Sequence, residues 1–99
     1  MKRYILKKST RADKRFAIDM GGMLHNFGSD VGKTYIDHQD DKKKKAWTAR
    51  HRNDKNFNDM HSSIYHSKNL LWTKPTLTEA IKDYEKKHKV TLINQTGIK

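Results

Sequence analysis

The chain has no cysteine. Disulfides, thiol nucleophiles and cysteine-bound zinc are therefore absent from its chemistry, and a reducing compartment is permitted. It also has no long apolar run. Basic residues precede apolar ones in Met1-Lys-Arg-Tyr-Ile-Leu6, but that run is three residues long where a signal peptide uses about seven or more. Nothing approaches the roughly 20 apolar residues of a membrane span, so the expectation is a soluble protein made in the cytoplasm, without a membrane partner. Apolar residues are few, 33% against 33% charged, a balance that predicts a thin core with mobile ends, ordered in part by neighbours. Acidic residues are fewer still. Lys and Arg number 22 against 11 Asp and Glu, a net charge of +11 that repels itself and favours contact with a polyanion or an acidic protein surface.

Ninety-nine residues hold one small domain and exclude a second. The expected domain spans residues 1–93, with 94–99 as a flexible tail. Residues 3–8 read as a short strand. Phe16, Ile18 and Met20 then alternate with polar positions, Gly21-Gly22 supplies two positive-φ positions of a tight hairpin, and Met23, His25 and Phe27 resume the alternation. This register sets Ile18 opposite His25 and Phe16 opposite Phe27. A lone hairpin is marginal in water, so the first strand should join it in a meander. Thr34–Asp37 reads as a fourth short strand or an extended lead-in, and Val90–Ile93 as an edge strand.

Asp40 or Asp41 can cap a helix running to about Arg52, since a carboxylate there accepts the free N–H groups of the first turn. Met60, Ile64, Leu71 and Trp72 recur at roughly helical intervals over residues 59–72. The clearest helix signal follows Pro75. Thr76 and Glu79 form a capping-box pair, and Leu77, Ala80, Ile81 and Tyr84 mark one face of a helix ending near His88. The predicted class is α+β, a small antiparallel sheet of three to four strands built on an N-terminal meander and covered by two or three helices.

The densest functional patch is Gly32–His51. Gly28-Ser-Asp-Val-Gly32-Lys33-Thr34 resembles a phosphate-binding loop but has three residues between its glycines where the motif needs four, so a glycine turn is the reading kept. The six histidines match no zinc spacing. His38 beside Asp37, Asp40 and Asp41 has the composition of a metal-dependent nuclease site, and equally of a capped helix entry. No metal, cofactor or small-molecule substrate is expected. Lys42 to Lys45 span a helical turn and so point all round the helix; with Lys33, Arg50 and Arg52 they can still neutralise several phosphates. Tyr35, Trp47 and Trp72 could stack on bases, but in so thin a core large rings are expected mainly to be buried.

Asn26-Phe-Gly28, Tyr35-Ile-Asp-His38 with Asp40 and Asp41, the lysine run, Ala49-Arg-His51 and Asn69-Leu-Leu-Trp-Thr-Lys-Pro-Thr-Leu77 with Ile81-Lys-Asp83 together resemble a family of short basic proteins. These are encoded by large double-stranded-DNA viruses of algae and amoebae, with related phage proteins. The likeness runs from about Tyr4 to His88 and departs from the family pattern at Asn26 and in a shorter link between Arg52 and Trp72.

The resemblance implies a viral origin and virion association, with no assigned activity. Combined with the charge, it leads to the expectation of a non-enzymatic minor virion component that bridges capsid proteins or packaged DNA. The alternatives are a sequence-nonspecific nucleic-acid binder and, third, a metal-dependent nuclease. The expected docking residues are Lys33, Tyr35, His38, Lys42, Lys43, Lys44, Lys45, Arg50, His51 and Arg52.

Overall fold

The computed structural model describes residues 2–29 and 33–98. Strands β1 (Lys2–Lys8), β2 (Lys14–Asp19) and β3 (Leu24–Ser29) form the expected antiparallel meander. Helices α1 (Tyr35–His38), α2 (Asp41–His51) and α3 (Ser63–Ser67) follow, and α3 continues into a π-helical turn, Lys68–Trp72. Helix α4 (Leu77–His88) then leads into β4 (Val90–Gln95). The sheet order is β3-β2-β1-β4, an α+β domain as the residue pattern predicts.

The hairpin register is the predicted one. Ile18 lies opposite His25 and Phe16 opposite Phe27, with Gly21 and Gly22 at φ 77° and 104°. Side chains alternate across a strand, so Tyr4, Leu6, Phe16, Ile18, Phe27, Val90 and Leu92 share one face. That face forms the core with Tyr65, Leu70, Leu71, Leu77, Ala80, Ile81 and Tyr84 of the helical layer. Ile5, Lys7 and Thr91 alternate onto the other face and are half-buried there.

Two expectations are corrected. The sheet is mixed: β4 pairs parallel to β1, from Lys2 opposite Val90 to Lys7 opposite Gln95, because α4 carries the chain back across the sheet before β4 begins. Thr34–Asp37 is not a strand. The Asp37 carboxylate accepts from the Thr34 N–H at 2.8 Å and its hydroxyl at 2.9 Å, which closes one helical turn despite two β-branched residues. Past Ile93, β4 continues to Gln95, Asn94 Oδ1 accepts from the Thr96 N–H and hydroxyl, Thr96 is buried, and Ile98 packs on the core.

Side chains occupy some of the outward backbone groups of both edge strands, which leaves fewer to invite another strand. On β3 the Asn26 carbonyl accepts from Ser63 at 2.6 Å, and the Gly28 N–H donates to Ser67 Oγ at 3.2 Å. On β4 the Leu92 N–H donates to Glu85 at 2.9 Å. Helix α4 starts where the sequence indicates, with the Thr76 hydroxyl accepting from the Glu79 N–H.

Candidate functional site

Two elements meet at the site, α2 and the π turn. Asp40 starts α2 by accepting from the N–H groups of Lys42 and Lys43 at 2.9 and 3.3 Å. The His38 ring holds Asp40 in place by accepting its N–H on Nδ1 at 3.0 Å. In the π turn, Asn69 donates to the Tyr65 carbonyl at 2.9 Å, and the wider i→i+5 winding brings successive Leu70 and Leu71 into the core while Trp72 faces α2. Trp47, the buried residue of α2, lies on Trp72 with centroids 4.9 Å apart and planes within 10°. His51 and Phe57 complete the aromatic cluster, at 4.8 and 6.2 Å from Trp47.

Two adjoining cavities flank this stack and share Lys33 and Trp72; together they are called the groove. The first, about 440 Å³, is lined by Lys14, Lys33, Thr34, Trp47, His51, Ser63, Ser67, Leu71 and Trp72 among others. The second, about 430 Å³, is bounded by Lys33, His38, Lys43, Ala46, Arg50 and Trp72. No carboxylate lines either one among the described residues. Four permanent cations around a partly apolar recess give a concentrated positive potential.

The ten expected docking residues divide. Lys33, His38, Lys43, Arg50 and His51 surround the groove. Tyr35 and Lys44 are engaged internally: the Tyr35 hydroxyl donates to Asp41 at 2.7 Å, while Lys44 Nζ donates to the Thr73 carbonyl at 2.8 Å and sits 4.8 Å from the Tyr35 ring centre. Lys42, Lys45 and Arg52 are exposed and lie outside both linings. Gly32, the second glycine of the loop that resembles a phosphate cradle, lies outside the described residues. Sequence reasoning passed over Lys14, Ser63 and Ser67, which come from distant elements. It expected both tryptophans to be chiefly core; Trp47 is buried, but Trp72 is half-buried and lines both cavities.

The composition that resembled a nuclease site is committed to structure. Asp40 caps α2, Asp41 accepts from Tyr35, and Asp37 accepts from Arg15 Nη1 and Nη2 at 2.6 and 2.8 Å. Burial alone would raise the Asp37 carboxyl, but hydrogen bonds from Arg15 and Thr34 outweigh it and hold it at about 2. Among the described residues no three His, Asp or Glu side chains converge as a metal site would require.

Replacing Arg15 by alanine should return Asp37 toward the ordinary carboxylate range and cost about 1–2 kcal/mol, the net worth of a charge-assisted hydrogen bond. That contribution is present above the unfolded pKa of 3.8 and lost as pH falls toward about 2. An NMR titration of Asp37 in both proteins checks it; an unchanged midpoint would remove Arg15 from the role.

A family of unknown function (DUF5754) matches residues 4–51, just under half of the 99-residue chain. The matched stretch runs from β1 through α2 and so includes Lys14, Lys33, Lys43, Trp47, Arg50 and His51. No curated protein and no solved structure shows significant similarity to the chain.

Proposed function

We propose that this is a small, non-enzymatic basic viral protein that contacts packaged nucleic acid as a minor component of the virion, through the groove beside α2. The observation that carries the reading is the placement of Lys14, Lys33, Lys43 and Arg50 around one recess with no carboxylate among the described lining residues. With a net charge of +11, such a surface attracts phosphates and gains affinity by releasing their counterions. The viral and virion parts rest on the resemblance in the sequence. Bridging to an acidic capsid protein uses the same cations and is the second reading.

Fluorescence titration with DNA across salt separates the two. Phosphate contact predicts an affinity that falls as salt rises, with a log–log slope near −3 for three or four phosphates neutralised. The double charge reversal Lys43→Glu/Arg50→Glu should weaken DNA binding by about ten-fold or more and flatten that slope by about two. Salt-insensitive or undetectable DNA binding would sink the nucleic-acid reading. Absence of the protein from purified particles by mass spectrometry would sink the virion assignment.

A further inference from the structure

We infer that the groove is built for an unpaired nucleotide, with the base in the first cavity and the flanking phosphates over the second, so that the ligand is single-stranded nucleic acid. The inference rests on the nucleic-acid reading above and sharpens it.

The two halves of the groove differ in chemistry. The first cavity is backed by Trp47, Trp72, Leu71 and Ile64 and edged by serine hydroxyls. Ser67 Oγ accepts from the Gly28 N–H and so keeps a hydrogen to donate, while the Ser63 hydroxyl donates to the Asn26 carbonyl and keeps lone pairs that can accept. A donor and an acceptor beside aromatic and aliphatic surface suit the edge and face of a base without selecting one base over another. The second cavity has three permanent cations, Lys33, Lys43 and Arg50, beside His38, Ala46 and Trp72, with no carboxylate among the described lining residues, which suits phosphate. Lys33 and Trp72 belong to both cavities, so the base and phosphate positions adjoin, as they do within a nucleotide. The first cavity, about 440 Å³, lies within the roughly 300–1,000 Å³ of small-molecule clefts. A duplex offers phosphates but keeps its bases stacked inside, leaving this aromatic recess unfilled. A single strand can splay a base into it.

The chain carries its own reporter, because its two tryptophans both line the first cavity. An oligothymidylate of about twelve nucleotides should quench tryptophan fluorescence and bind about ten-fold tighter than a duplex of equal length at the same salt. Trp72→Phe should weaken oligothymidylate binding about five-fold, more than it weakens binding of the duplex. Should that variant fail to fold by circular dichroism, an abasic oligomer with the same number of phosphates tests the wild type, and it should bind about ten-fold more weakly than oligothymidylate. Equal, salt-dependent affinity for single strand and duplex, or for abasic and thymidine oligomers, overturns the inference and leaves the phosphate-contact reading standing. No binding of any of them overturns both.

Discussion

Gly28→Ala is expected to destabilise the protein by about 3 kcal/mol, from a left-handed backbone penalty of about 1 kcal/mol and overpacking of about 2. Gly28 sits in β3 at φ +77°, and an added Cβ would lie 2.9 Å from Leu71 Cδ1 and 3.4 Å from Arg15 Cβ. Leu71 is fully buried, so its methyl group can move only against close-packed neighbours or into the first cavity, which it lines. Gly21→Ala is the matched control. Gly21 has the same φ of +77° but nothing within 4 Å of the added carbon, which leaves only the backbone cost of about 1 kcal/mol. The difference between the two denaturation midpoints isolates the Leu71 collision. For a chain this size the Gly28 variant should melt more than about 10 °C below wild type. Equal losses in the two variants would show that the core yields to the extra methyl. Because Gly28 also lines the first cavity and donates its N–H to Ser67, oligonucleotide affinity should fall in the same variant.

Acidification is expected to remove about 3 kcal/mol of stability through His66 alone. His66 is completely buried, and burial, reinforced by the nearby His25, His88 and His61, pushes its pKa from 6.5 down to about 4 despite the hydrogen bond to the Met60 carbonyl. The reason is visible in the bonding. Nε2 lies 2.8 Å from the Met60 carbonyl, so the neutral ring donates from Nε2. A second proton must go on Nδ1, which is buried without a partner among the described residues. The groups facing the ring offer no negative charge: His25 stacks at 5.8 Å, and Phe27, Tyr65 and Tyr84 pack at 5.8, 5.4 and 5.8 Å.

Since the folded pKa lies below the unfolded one, the unfolded chain binds the proton first. The stabilisation is therefore complete above pH 6.5 and lost as pH falls toward about 4. At about 1.4 kcal/mol per unit, this is a large share of the 5–15 kcal/mol typical of a domain. Burial and Lys87 lower His88 as well, which adds loss of the same sign. Urea midpoints measured from pH 7.5 to 4 should fall steeply in the wild type and much less in His66→Phe, whose ring suits the aromatic surroundings. Parallel profiles would show that His66 does not govern the acid transition.

Several elements were legible from local pattern. The alternation around Gly21-Gly22 placed Phe16 opposite Phe27, and the pair Asp40-Asp41 and Thr76 marked the starts of α2 and α4, because hairpin turns and helix caps are settled within a few residues. Thr34–Asp37 misled for a related reason. Its Thr, Tyr and Ile favour a strand, whereas the Thr34 and Asp37 pair that signals a helical turn was present and was reinforced by Arg15 from a distant strand. The groove was legible in part. The basic run pointed to Lys43 and Arg50, but no spacing reveals that Lys44 turns inward to Thr73, or that Lys14, Ser63 and Ser67 come to the same recess.

The sequence by itself determined the composition of the surface, a chain without thiols or a long apolar segment and with a large positive charge, and it determined the hairpin and both long helices, whose signals act over a few residues. Tertiary structure decided the parallel seat of β4 on β1, the burial of His66, and the stacking of Trp47 on Trp72 beside which cations from three parts of the chain come together. Each of these depends on contacts between residues far apart in the chain, whose partners are chosen by packing rather than by local periodicity.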